Sequence, residues 1–327
     1  MRTLDLFCGG GGSSWGAEAA GAEIVAGVDA WGLATATFEE NFPAAHVFNS
    51  RLHRHSNRSV LRGVDDIDLL LSSPECTNHT CARGAKEKDE ASRETALITL
   101  NFAEALKPRW IVIENVIQMR SWSRYQELLD ALGKQYYVQP QILDAVNFGT
   151  PQRRRRLFVL CDSEQQPPIL SGTLSRSRLP ARSILDAPGS WEAGPLFTRK
   201  RAKDTKARAR RAIRALGEGI PFLIVYYGTD GSGGWQSLDD PLRTMTTLDR
   251  FGLVEWTQSG PTLRMLQVPE LRRAMGFEAS YKLSAGTRRE KIKILGNGVC
   301  PKVMKAIVSA LISQGSARSN IVPLAAE

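Results

Sequence analysis

The chain has 327 residues, 42% of them hydrophobic, and 43 Lys and Arg against 34 Asp and Glu give a formal charge of +9. That is enough apolar material for one large core and a smaller second lobe, no run approaches the ~18 apolar residues of a membrane span, and the excess of cations favours a polyanionic partner. Five widely spaced cysteines, Cys8, Cys76, Cys81, Cys161 and Cys300, argue against a disulfide framework and for a reducing compartment. Strand-like residues begin at Thr3, so no signal peptide is expected and the cytoplasm is the expected location.

Leu4-Asp5-Leu6-Phe7 reads as a strand entering the glycine-rich turn Cys8-Gly9-Gly10-Gly11-Gly12-Ser13-Ser14, and a helix follows from Trp15 until Gly21 ends it. Glycines let the backbone come close to a ligand at a helix N-terminus, so a nucleotide-like cofactor is the natural occupant. The next strand, Glu23 to Val28, ends in Asp29, one βα unit on, where a carboxylate can accept both ribose hydroxyls. No Gly-Lys-Ser/Thr follows the loop, so a nucleoside cofactor such as S-adenosylmethionine suits it better than a triphosphate. Asn41-Phe42-Pro43 ends a second helix, and His46 to Asn49 forms a third edge element. His53 and His55, with Arg51, Arg54 and Arg58, read as a solvated connection, because a metal pair there would need further ligands.

Ile67-Asp68-Leu69-Leu70-Leu71, stopped by Ser72-Ser73-Pro74, reads as a buried strand ending in a loop that carries Glu75 and Cys76. Cys76 is thereby set at the mouth of an α/β sheet, although a single cysteine read alone is a small buried hydrophobe. Ala82 to Glu94 reads as a mobile charged loop able to close over a substrate, and Thr95 to Leu106 as a helix that Pro108 stops. The strand Trp110 to Ile113 ends in Glu114-Asn115-Val116, and Glu114 is a candidate acid or, more plainly, the cap of a following helix. A helix from Tyr125 to Gly133, a strand at Tyr136 to Val138 and a turn over Val146 to Gln152 follow. Arg153 to Arg156 then enter the strand Leu157 to Leu160, where Arg154 and Arg156 share a face and are costly to bury without an anionic partner.

From about Asp162 to Thr247 the chain has Pro, Ser and Gly breaks, and Arg199 to Arg214 carries nine cations against one acid, Asp204. Such a run marks a solvated helix face or, beside other basic segments, a surface that tracks phosphates. Tyr226 to Trp235 is a glycine loop with aromatics; Leu263 to Met275 and Thr287 to Leu295 read as helices. Gly296-Asn297-Gly298-Val299 precedes a final helix, Val303 to Ile312, and the chain frays beyond Gln314.

In this order the motifs resemble those of the cytosine-C5 DNA methyltransferases over nearly the whole chain. Asp5 to Gly12 is similar to the family's first cofactor motif, Asp29 to its ribose-binding acid, and Ser73-Pro74-Glu75-Cys76 to its Pro-Cys nucleophile segment. Glu114-Asn115-Val116 resembles Glu-Asn-Val, Gln152 to Arg156 resembles Gln-x-Arg-x-Arg, Leu271 to Phe277 resembles the motif after the recognition region, and Gly296 to Val299 resembles the last motif. The resemblance implies a Rossmann-like α/β S-adenosylmethionine-dependent methyltransferase sheet with a smaller, irregular target-recognition domain. It divides the chain into a catalytic and cofactor domain at 1–161, a target-recognition domain at 162–262, a return to the catalytic domain at 263–316 and a disordered tail at 317–327.

The implied catalytic residues are Cys76, which adds to cytosine C6, Glu114, which serves N3, and Arg154 and Arg156, which hold the base carbonyl or a phosphate. Asp5, Phe7, Cys8, Gly9, Gly10, Gly11, Gly12, Asp29, Ala30, Asn49, Asn297 and Val299 are the implied cofactor residues, with S-adenosylhomocysteine as product. The implied setting is a monomer of a bacterial or phage restriction-modification system, acting on flipped-out cytosines of double-stranded DNA beside a cognate endonuclease. A tRNA cytosine methyltransferase and an inactive DNA-binding relative are the alternatives. No metal is expected: Cys76, His79 and Cys81 lack a fourth ligand and a metal would occupy the nucleophile. Three departures stand out: Glu75 replaces a proline and would raise the thiol pKa unless a cation offsets it, Ala30 stands where an aromatic is usual with Trp31 one place late, and Asn49 replaces an Asp.

Overall fold

The computed structural model describes residues 1–75, 94–170, 178–227 and 233–319. Seven strands make the main sheet: β1 (Arg2–Leu6), β2 (Glu23–Asp29), β3 (His46–Asn49), β4 (Leu69–Ser72), β5 (Trp110–Asn115), β6 (Tyr137–Asp144) and β7 (Arg155–Asp162). Their order is β3-β2-β1-β4-β5-β7-β6, with β7 antiparallel to both neighbours and the other pairings parallel. The chain runs outward from β1 in one direction and returns to its other side at β4, so the crevice beyond these two strand ends is a topological switch point. The glycine loop leaves β1 there, and the Glu75 segment leaves β4.

Both faces of the sheet are covered, which is why its inner strands read as unbroken apolar runs. Leu69 and Leu71 face one core with Val112, Phe158 and Leu160. Leu70, alternating, faces the other with Ile111, Ile113 and Val159. On the first face lie α1 (Gly12–Glu18), α2 (Gly32–Asn41) and α8 (Pro301–Ser319); on the second lie α3 (Thr95–Leu106) and α4 (Tyr125–Leu132). Pro140 is tolerated in β6 because that strand closes the sheet edge.

The segment with Pro, Ser and Gly breaks holds a second, wholly antiparallel sheet, ordered β10-β9-β11-β12-β8. Its strands are β8 (Gly194–Pro195), β9 (Phe222–Val225), β10 (Trp235–Ser237), β11 (Phe251–Thr257) and β12 (Gly260–Met265). Helix α5 (Lys203–Leu216) lays Ala209 and Ala212 on one face of it, against Phe222, Ile224 and Val254. The alternate residues Leu223, Val225 and Leu253 join the main core. The expected boundary at 262 therefore falls inside β12, which runs to Met265, and the helix expected over Leu263–Met275 is only α6 (Val268–Ala274). The Gln267–Glu270 capping box starts α6, and the Thr287–Glu290 box starts α7 (Arg288–Asn297).

At the C-terminus α8 continues to Ser319, so the part of the expected tail from 317 to 319 is helical, and the rest lies outside the described residues. The stretch Arg288–Ser316 has the length and apolar content of a membrane span, but most of its apolar window is buried, with Ile307, Val308 and Leu311 in the core.

Candidate active site

The glycine loop is shaped by backbone that other residues resist: Phe7 (φ 56°), Gly9 (φ 53°) and Gly11 (φ 84°) are all left-handed. Asp29, at the end of β2, fixes the loop from the side, its carboxylate accepting the Gly9 N–H at 2.9 Å and the Trp31 N–H at 2.8 Å. Burial raises its carboxyl pKa and the neighbouring Glu75 adds to the rise, while these N–H groups oppose it. Asp5 is fully buried beneath the loop, where Ser14 Oγ donates to one oxygen at 2.7 Å and the other has no partner among the described residues. Burial pushes its pKa up to about 7.

The last motif closes the loop from the other side. A Cβ on Gly12 would stand 2.5 Å from the Val299 carbonyl oxygen, so only glycine admits this approach. Val299 is buried, while Asn297 at the end of α7 is exposed. Cys8 is buried with its pKa raised by burial, which makes it a packing residue with an inert thiol. Ala30 is exposed; Trp31, half-buried at the start of α2, has the Lys293 Nζ 4.3 Å from its ring centroid. Asn49 donates to the Asp29 carbonyl at 3.2 Å.

This cradle fits S-adenosylmethionine. Glycines open the loop to close approach, Asp29 offers carboxylate lone pairs at a strand end, and the unpartnered Asp5 oxygen favours a cation nearby.

Beside the cradle, Glu114 sits at the end of β5, buried, with Arg156 Nε 3.2 Å from Oε1. Burial raises its pKa, and Arg156 and then Arg154 work against that rise. Its neighbour Asn115 donates to the Pro74 carbonyl at 3.1 Å and accepts the Val116 N–H at 2.8 Å. The Glu-Asn pair thus presents an acid with one side chain and ties down the β4 loop with the next. That loop is described as far as Glu75, which is exposed; Cys76 and the charged segment after it, with His79 and Cys81, lie outside the described residues.

Arg154 requires a correction. It is 3% exposed, and its guanidinium donates to the Met245 carbonyl at 3.0 Å, the Gly296 carbonyl at 2.8 Å and the Gly298 carbonyl at 3.0 Å. Three main-chain carbonyls from two distant segments occupy the group expected to hold a base or phosphate. Of the pair, Arg156 makes the direct ion pair with Glu114, while Arg154 acts on it from further away.

Sequence reading missed three residues that hold the site together. Tyr281 is buried, stacks on Phe277 and donates to the Gly10 carbonyl at 2.6 Å. Gln152 accepts the Met245 N–H and donates to the Ala274 carbonyl, linking both lobes. Asn115 and Gln152 sit inside motifs quoted above and were legible there; no local pattern marks Tyr281. Among the described residues no His, Cys, Asp and Glu cluster could hold a metal.

Comparison with known proteins identifies the family. Residues 1–313 match the model of the C-5 cytosine-specific DNA methylase family. The Type II methyltransferase M.HindV of Haemophilus influenzae is 31% identical over 324 residues, 96% of this chain and 97% of that one. The Type II methyltransferase M.HgiDI of Herpetosiphon aurantiacus is 36% identical over 228 residues, 68% of this chain and 71% of that one. Among solved structures, one from E. coli, described as a prophage-encoded DNA modification methyltransferase, superposes with a TM-score of 0.69 over 97% of this chain and 99% of that one. At 16% identity it speaks for the fold alone.

Proposed function

The chain belongs to the C-5 cytosine-specific DNA methylase family and is a DNA cytosine-C5 methyltransferase, and from that premise we propose how its own residues carry the reaction. The observation that carries the reading is the Glu114-Asn115 pair: a buried acid beside Arg156, and an amide holding the Pro74 carbonyl two residues before Cys76.

Cytosine C5 is a poor nucleophile until a group adds to C6, and a thiolate is suited to that covalent step. Cys76 adds to C6, and the displaced electron pair moves toward N3. Glu114, whose burial favours the protonated form, donates a proton to N3 as that charge develops. Arg156 holds the base carbonyl and keeps the Glu114 carboxyl oriented. S-adenosylmethionine, when bound, supplies the electrophilic methyl group and leaves as S-adenosylhomocysteine. Loss of the C5 proton to a water molecule and expulsion of the Cys76 thiolate then restore the ring, and N3 returns its proton to the Glu114 carboxylate. C5 and C6 are out of reach inside a duplex, so the target cytosine swings out into the crevice.

Within the cradle, Asp29 accepts from the ribose hydroxyls, the Asn49 amide oxygen accepts from the adenine amino group, and Gly9 to Gly12 with Val299 form the walls. Asn297, Phe7 and Ala30 border it, and Asp5 and Cys8 act from beneath. The second sheet and α5, within about 162–265, serve as the target-recognition domain, and the catalytic domain resumes at α6. The protein acts on double-stranded DNA as a monomer in a bacterial cytoplasm, its own or a phage host's, as the modification arm of a restriction-modification system with a cognate endonuclease.

A duplex containing 5-fluorocytosine tests the chemistry. The chain should form a denaturation-resistant adduct that Cys76→Ser abolishes; an adduct surviving that substitution sinks the role of Cys76. Bisulfite sequencing of DNA from cells expressing the chain reads out product and target sequence, with tRNA from the same cells measuring the competing substrate.

A further inference from the structure

We propose that the outer face of α5 grips the sugar-phosphate backbone of duplex DNA without reading its sequence, an inference that rests on the methyltransferase reading above. At 100° per residue, Thr205, Ala209 and Ala212 fall on one side of the helix, and all three are buried. Lys203, Arg210 and Arg214 fall on the opposite side, and all three are exposed. None of the three has a carboxylate partner among the described residues, and the only acid in the helix is Asp204 in its first turn. Exposed Arg199 and Lys200 extend the row past the N-terminus.

The flanks of the helix are held while this row is left outward. Lys206 Nζ donates to the Thr198 carbonyl at 3.1 Å, and Arg211 Nε donates to the Gly233 carbonyl at 3.0 Å. Arg210 lies 5.4 Å from the ring centroid of Phe197, an aromatic left 42% exposed on an otherwise charged surface. A guanidinium resting on a ring loses less side-chain freedom when it meets a ligand. Ala207 between the charges keeps the surface low enough for close approach.

Spacing favours an extended polyanion over a small one. Lys203 and Arg210 are about 10 Å apart along the axis and Arg214 about 6 Å further, whereas duplex DNA carries a charge every ~1.7 Å of its length. A row of separated cations therefore finds phosphates along its whole extent, and phosphate contacts carry no base information.

The test is the salt dependence of binding by the full chain to a substrate duplex and to a scrambled duplex between about 50 and 200 mM salt. Lys203→Gln, Arg210→Gln and Arg214→Gln together should lower the log-log slope by about 2 to 3, near 0.9 per lost phosphate contact. The loss should be equal on both duplexes, Arg210→Lys with Arg214→Lys should restore the slope, and the single Arg214→Glu should act in the same direction if the triple variant is poorly folded. An unchanged slope, a loss confined to one sequence or a loss seen only with tRNA overturns the proposal. Failure of the unaltered chain to bind duplex or to methylate cytosine would instead sink the methyltransferase reading, leaving the two failures distinct.

Discussion

The Tyr281 hydroxyl donates to the Gly10 carbonyl at 2.6 Å, a bond between residues 271 positions apart that sets the direction of a peptide at the centre of the glycine loop. A Cβ on Gly10 would lie 2.6 Å from the same hydroxyl, so loop and latch are fitted to one another. Tyr281→Phe keeps the ring stacked on Phe277 and removes only the bond. The expected result is a loss of about 1 kcal/mol or somewhat more in cofactor affinity, or roughly a 5- to 10-fold rise in KM for S-adenosylmethionine with kcat little changed. Calorimetric titration of the cofactor and steady-state kinetics check it; equal falls in kcat and affinity would point to general loosening instead.

Arg154 and Arg156 should separate cleanly. Arg154→Ala strips three carbonyls of a charged donor and should lower stability by about 3 kcal/mol or more, read as a fall in Tm. Arg156→Gln should leave Tm nearly unchanged and depress kcat.

The pH profile offers a finer reading of Arg156. Its charge holds down a Glu114 pKa that burial raises, so Arg156→Gln should move the Glu114 limb of the kcat profile to higher pH. Glu114→Gln should remove that limb and lower kcat by roughly 100- to 10,000-fold. A limb that stays in place in Arg156→Gln would assign it to another group.

Asp5 carries a stability signature of definite sign. Its carboxyl is raised from 3.8 to about 7, so through that window the native state keeps a proton that the unfolded chain has released. The contribution of Asp5 to stability is therefore fully present below about pH 4 and is lost as pH rises through about 7. Asp5→Asn retains an acceptor for Ser14 and cannot ionise, so denaturant unfolding should show a flatter pH dependence and a gain at pH 7 of at most about 4 kcal/mol. Its affinity for cationic S-adenosylmethionine should fall more than its affinity for neutral S-adenosylhomocysteine.

Asn115→Ala should leave Glu114 in place while releasing the Pro74 carbonyl. The rate of adduct formation with 5-fluorocytosine duplex should fall by at least tenfold, with cofactor affinity unaltered; parallel losses in both would mean the change spreads beyond the β4 loop.

What could be read from the sequence follows from where each signal is stored. Leu69 to Leu71 and Ile111 to Ile113 announce themselves because strands buried on both faces are continuous apolar runs. The glycine loop, Asp29 and Glu114 are legible because strand ends and left-handed turns constrain residue types locally. The second sheet is not, since Phe222–Val225 and Trp235–Ser237 are short and their partners are remote in sequence. Alternation set Arg154 and Arg156 on one face of a strand, but β7 begins at Arg155, and the carbonyls of Gly296 and Gly298, remote in sequence, hold Arg154. Trp31 looked one place late by motif, and only the fold reveals Lys293 over its ring.

The glycine loop precedes by 271 positions the Tyr281 that latches it, and Val299 follows later still. A nascent chain emerging from the ribosome holds the strand and glycines of the cofactor cradle long before it holds the latch. Completion of the cradle thus waits until Tyr281 and Val299 have been translated. A translation product interrupted before Tyr281 carries the cations of α5 without the completed cradle.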